Sequence, residues 1–228
     1  MIDAGQVLCG GRAHNDVVTD HSDRGHAVNQ ERTTRIFRAD RSLAEPLARW
    51  HADHSNFARL LDLLQLQVDA FHAGKRPDYE LMRLIVYYLR HYPDRFHHPR
   101  EDVAFNRLVQ RDPQLQAEIA WCMQEHALIA DAGEKLLNCL NQIIAGVALE
   151  RAALQAVTAT YLAYYRHHLA TEEHTIIRRA VELLTPDDWS AVSAIPADPD
   201  PLFGAGVDAR YSELRRQISC MTSKTQKG

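Results

Sequence analysis

Four stretches of this chain carry apolar residues at alternating steps of three and four, and each stretch gives one or more of those slots to a histidine or a glutamate. That step pattern is the core-facing stripe of an α-helix. The first stripe reads Leu43, Leu47, Trp50, His54, Phe57, Leu61, Leu64, Val68, Phe71, and the second Met82, Val86, Leu89, Pro93, His97, Glu101, Ala104, Leu108. The third reads Leu115, Ile119, Cys122, His126, Ile129, Gly133, Leu136, Leu140, and the fourth Leu154, Val157, Tyr161, Tyr165, His168, Glu172, Ile176. No stretch has the period of two that a strand requires.

The punctuation between stripes sets the boundaries. Ser42 and Glu45 form a capping-box pattern, with Pro46 tolerated in the first turn, so the first helix is expected to begin at Ser42. "AGKRPD" ends it, the second helix starts near Asp78 and closes near "RDP" at 111–113, and Pro93 and Pro99 should kink or restart it. The third helix closes around Gly146, and the fourth runs from about Glu150 to Leu184. Thr185 and Pro186 suit the start of a short fifth helix, and the proline-rich "IPADPDPLFG" leads to a last amphipathic segment, "DARYSELRRQI". The expected fold is therefore all-α, an up-down-up-down antiparallel four-helix bundle with extra short C-terminal helices. Residues 1–39, polar and without period, read as a flexible extension; 40–184 as the bundle; 185–228 as a C-terminal helical segment and tail.

A net charge of -4 with no basic stripe argues against nucleic acid, and no apolar run approaches the roughly 20 residues a bilayer requires. Cys9, Cys122, Cys139 and Cys220 are far apart, with neither a CxxC pair nor a disulfide framework, and "MIDAGQVLCGG" lacks the features of a secretion signal. A cytoplasmic protein with reduced thiols is expected.

Histidine is the unusual component, with thirteen copies, and the stripes bring some of them together. If the first and third helices start at one end of the bundle, His54 and His126 each lie about twelve residues in, roughly 18 Å along at 1.5 Å per residue. Counted back from the ends of the other two helices, Glu101 lies about nine residues in and Glu172 about twelve. His97 and His168 sit four residues earlier on the same faces. A lone core histidine is usually a satisfied packing residue. Four at one depth, with two carboxylates, are severely penalised in a dry core unless a cation neutralises the charge. Four imidazoles and two carboxylates exceed one tetrahedral zinc and suit two transition-metal ions bridged by both carboxylates. Iron is favoured, with manganese or zinc as substitutes, and open positions on such ions invite dioxygen, nitric oxide or peroxide.

"HADHSNFARLLDLL", "HYPDRFHHPREDVAF", "EHALIADAG", "YYRHHLATEEHTI", "DDW" and "DPLFG" together resemble the landmarks of the hemerythrin-like family, the HHE cation-binding domain, from about Leu47 to Ile218. The resemblance implies a di-iron site with His54, His97, Glu101, His126, His168 and Glu172 as ligands. It also marks two departures from the oxygen carriers of the family. Their fifth histidine, one turn before the ligand of the third helix, corresponds to Cys122, and their aspartate five residues after the last histidine is replaced by Glu172 four residues after His168. This set is similar to members that sense iron or oxygen or respond to nitrosative and oxidative stress. The implied function is a non-haem di-iron protein, a sensor or stress-protection factor. The alternative is an enzyme that decomposes hydrogen peroxide or oxidises ferrous iron at the same site.

Around the six, His51, Cys122, Tyr161 and Tyr165 are candidates for a supporting ring. Each has a plainer reading: a surface position for His51, a small buried apolar role for Cys122, and core packing with a satisfied hydroxyl for the tyrosines. His98, His167 and His174 point off the stripe and are expected in solvent; Asp102 and Glu173 adjoin site residues and are expected to hydrogen-bond outside them or be solvated. A ferritin-like oxidase is disfavoured because no E-x-x-H occurs. A non-metal reading is an interaction module presenting residues 207–221. No protein partner is legible.

Overall fold

The computed structural model describes residues 22–196 and 199–225, which are helical apart from turns and connections, with no strand among them. Two units are distinguished, Met1–Arg38 and Ala39–Gly228. In the first, residues 22–38 are helical; the rest of this section concerns the second. Residues 1–21, with Cys9, His14 and His21, lie outside the described residues.

Helix α1 spans Ser22–His72. It does not begin at Ser42: Ser42 and Glu45 are interior, and Pro46 lies inside the helix rather than in its first turn. A capping pattern is only four residues long, and the helical run continues through it. Helix α2, Tyr79–Tyr92, is capped by the Asp78 carboxylate, which accepts from the Leu81 amide. A π-helical turn, Pro93–His97, joins it to α3, His98–Arg111. Proline at 93 and 99 thus marks a widened turn and a restart. After a 3₁₀ turn, Pro113–Leu115, come α4, Gln116–Ile144, and α5, Arg151–Thr171. A second π-turn, Glu172–Ile176, which no proline announces, leads into α6, Ile177–Leu183.

The stripes are the buried faces. Every residue from Met82 to Leu108 in the second stripe is buried, and the other three stripes are buried with only Leu47, Phe71, His126 and Val157 partly open among the described side chains. The apolar core falls into two clusters. One contains Phe57, Tyr92, Ile129, Tyr161 and Tyr165, the other Trp50, Phe105, Cys122, Ile176 and Trp189. Each stripe passes from one cluster to the other at its polar residues.

Helix α7, Pro186–Ser193, closes the second cluster with Trp189 and carries the anticipated cap. Thr185 Oγ1 accepts from the Asp188 amide, and Asp188 Oδ2 accepts from the Thr185 amide at 3.0 Å. Arg111 Nε also donates to Asp188 Oδ2, at 3.0 Å. Burial opposes ionisation of Asp188, but the hydrogen bonds from Thr185 and Arg111 hold its pKa below the ordinary value. Asp188→Ala is therefore expected to destabilise the fold by about 1–3 kcal/mol in urea unfolding at neutral pH. Because the folded carboxyl is the stronger acid, this contribution is present above an unfolded pKa of about 3.9 and fades as pH falls through the folded value. The gap between the two proteins should narrow on acidification. After a 3₁₀ turn, Ala209–Tyr211, α8 (Ser212–Thr225) buries Leu214 and Ile218 in the first cluster. Tyr88 donates to Asp200 at 2.8 Å beneath it. Among the described residues no helix is long and apolar enough to cross a membrane.

Candidate metal centre

The two π-turns bracket the polar layer. His97 is the last residue of one, and Glu172 is the first of the other. A π-turn widens the helix locally and re-aims side chains, which is why such turns recur at functional sites. His54 comes from α1, Glu101 from α3, His126 from α4 and His168 from α5.

All six residues meet. His54 Nε2 and His97 Nε2 are 3.1 Å apart, and the His126 and His168 rings are 4.6 Å apart between centroids. Both glutamates touch both imidazole pairs. Glu101 Oε1 is 2.7 Å from His97 Nε2 while its Oε2 is 3.5 Å from His126 Nε2. Glu172 Oε2 is 3.1 Å from His54 Nε2 and 3.5 Å from His168 Nε2, and its Oε1 is 3.7 Å from His126 Nε2.

Three of the imidazoles are held from behind by a carboxylate at Nδ1: His97 by Asp53 at 3.1 Å, His168 by Glu125 at 3.2 Å, and His54 by Glu173 at 2.8 Å. A proton kept on Nδ1 leaves the Nε2 lone pair turned inward, the tautomer a metal requires. Trp50 Nε1 donates to His54 Nε2 at 3.2 Å, a contact a cation there would displace.

The electrostatics are those of charges confined together. Burial pulls the His97 pKa down, but the Glu101 charge and the hydrogen bonds to Asp53 and Glu101 outweigh it and raise it to about 9. Burial likewise opposes His54, which hydrogen bonds to Glu101, Glu172 and Glu173 lift well above its ordinary value. For Glu172, burial and the Glu101 charge push upward, and His168, His126 and His54 bring the pKa down to about 2. Glu101 is held well below the usual carboxylate range by His97 and His54, against its burial.

Protonated imidazoles thus balance the carboxylates, yet the balance is incomplete. Glu101 Oε2, Glu172 Oε2 and His126 Nε2 are buried without a hydrogen-bond partner among the described residues. Orphaned buried polar atoms are costly, and three of them converging in one layer are the donor set a cation would satisfy. Three donor groups fall within a metal's reach: His54, His97, Glu101 and Glu172; His126 and His168 with His98; and Cys122, His168 and Glu172.

The supporting ring departs from expectation in places. His51 is half exposed and bonds to Glu173 at 2.9 Å, so it reaches a carboxylate of the outer ring and not the centre. Cys122 is buried, its thiol 3.4 Å from Glu172 Oε1, and burial first, then the glutamate charges, push its pKa far up. Tyr161 and Tyr165 are buried as expected, but their hydroxyls find no partner among the described residues. His167 and His174 are exposed as expected; His98 is not. It stacks on His126 at 3.9 Å, because in a bundle a residue 100° off the stripe still faces the adjacent helix. Burial, then the His126 and His97 charges, lower its pKa to about 4 despite a hydrogen bond to Asp94.

Asp53 and Glu125 were not singled out from the sequence. A signal was available: each stands directly before a stripe histidine, as Glu173 stands directly after Glu172.

Buried imidazoles and carboxylates converging from several helices define a metal-binding helical protein. Comparison with protein families makes this specific: the model of the Hemerythrin HHE cation binding domain matches residues 45–180, more than half of the chain, and the chain belongs to that family. Neither the curated proteins nor the solved structures give a match.

Proposed function

We propose that this is a non-haem di-iron protein on an up-down-up-down antiparallel four-helix bundle, reacting with oxygen, nitric oxide or peroxide as a sensor or stress-protection factor. Contact order supports the topology. Trp50 packs on Phe105, His54 on His97 and Phe57 on Tyr92, so numbering rises along one helix as it falls along its neighbour. The same reversal relates His126 to His168 and Gly133 to Tyr161.

His54 and His97 would hold one ion, His126 and His168 the other, with Glu101 and Glu172 between them. Mixed imidazole and carboxylate donors suit iron, with manganese or zinc as substitutes. A bound pair would supply one-electron redox chemistry and open positions for a diatomic molecule or peroxide. Around it, Trp50, Phe57 and Phe105 keep bulk water out, which favours small apolar ligands and strengthens every charge interaction inside. Asp53, Glu125 and Glu173 keep the Nδ1 protons in place. The unpaired Cys122, Cys139 and Cys220 are compatible with a reducing, cytoplasmic setting.

The observation that carries this reading is that each buried glutamate touches both imidazole pairs while one of its oxygens makes no hydrogen bond. Anaerobic titration of metal-free protein with ferrous iron should end at about two ions per chain, as a two-position site requires. Subsequent exposure to oxygen, nitric oxide or hydrogen peroxide should change the visible spectrum. Uptake of no iron would sink the proposal. Sustained peroxide turnover, in place of one stoichiometric reaction, would move the reading to an enzyme.

A further inference from the structure

We propose that His98 is a fifth imidazole donor of this centre, serving the metal position of His126 and His168; the inference rests on the two-metal reading above. A ring nitrogen of His98 lies within 4.8 Å of donor atoms of both His126 and His168. Two nitrogens on opposite sides of one ion, at bonds of roughly 2.0–2.1 Å, stand about 4 Å apart, so the three are close to a ligating arrangement.

The second observation is how the ring is held. Its Nδ1 lies 3.1 Å from Asp94 Oδ1, the arrangement by which Asp53, Glu125 and Glu173 hold His97, His168 and His54. Every imidazole of the layer except His126 thus has a carboxylate behind it. A carboxylate at Nδ1 keeps the lone pair on Nε2, and no described residue hydrogen-bonds to the His98 Nε2. The side chain is only 13% exposed.

The two positions then differ. His98, His126 and His168 give one three nitrogens, and His54 and His97 give the other two. One geometric step is required. The His98 and His126 rings now stack, 14° from parallel, and parallel rings cannot both aim at one ion. Ligation takes His98 out of the stack by rotation of its side chain, and the exposed Asp94 carboxylate turns with it to keep the contact at Nδ1.

Stacking and ligation are separable, because phenylalanine keeps an aromatic face against His126 and has no lone pair. The experiment titrates metal-free wild type, His98→Phe and His98→Ala with cobalt(II), whose visible bands report coordination number, after confirming by circular dichroism that the metal-free proteins share one fold. Wild type should bind two cobalt ions. In both variants one of the two should bind on the order of tenfold more weakly or worse, with altered bands, while the other is unchanged. If His98→Phe matches wild type in affinity and spectrum, His98 is a packing residue and the proposal falls, the two-metal reading surviving. If wild type binds no cobalt and no iron, both fall.

Discussion

With Glu101 and Glu172 both replaced by alanine, the protein is expected to keep less than about a tenth of the iron that the wild type takes up, because the proposed two-metal site would lose both of its carboxylates at once. Both carboxylates stand between the imidazole pairs, with Glu101 Oε1 on His97 and Oε2 on His126, and Glu172 Oε2 on His54 and His168. Four imidazoles alone offer no anionic charge to offset two dications. Removing the carboxylates takes the counter-charge from the buried imidazoles they touch, so the metal-free variant should melt lower than the metal-free wild type, and circular dichroism before loading separates lost metal from lost fold. Glu125→Ala is the graded comparison. It removes the carboxylate that holds His168 by Nδ1, and a supporting group of this kind typically changes affinity ten- to a hundredfold while leaving saturation possible. Elemental analysis after iron reconstitution, with affinities from chelator competition, reads both effects. Equal iron in the double variant and the wild type would remove these glutamates from the site.

Stripping metal from the wild type is expected to lower its melting temperature by about 10 °C or more. Each ion present at a hundred times its dissociation constant adds about 2.7 kcal/mol, so two add roughly 5. A chain of this size shifts by about 2–4 °C per kcal/mol. The physical origin is local. Without a cation, Glu101 Oε2, Glu172 Oε2 and His126 Nε2 stay buried without a hydrogen bond in the layer that separates the two apolar clusters. Calorimetry with iron and after chelation measures the shift, and the Glu101→Ala/Glu172→Ala protein should show none. Identical melting of the wild type with and without metal would mean that the polar layer is self-sufficient.

Which residues turn inward is readable from the chain alone. Burial at steps of three and four is a local property, so Met82 to Leu108 could be read as a buried face and His97 and Glu101 as members of it. Depth was counted from expected helix ends; the six polar side chains meet at one level, although α1 begins at Ser22 and not at Ser42. The Thr185 cap was legible for the same reason, since a cap is settled within four residues. The tertiary structure decided what depends on a neighbouring helix. A residue 100° around from the stripe was expected to face water, yet here it faces the adjacent helix. Asp53 beside His54 reaches His97, Glu125 beside His126 reaches His168, Glu173 beside Glu172 reaches His54, and His98 beside His97 stacks on His126. The π-turn at Glu172–Ile176 has no proline to announce it. Periodicity along one helix reports what that helix buries; which side chain meets which across a bundle is decided only when the helices pack.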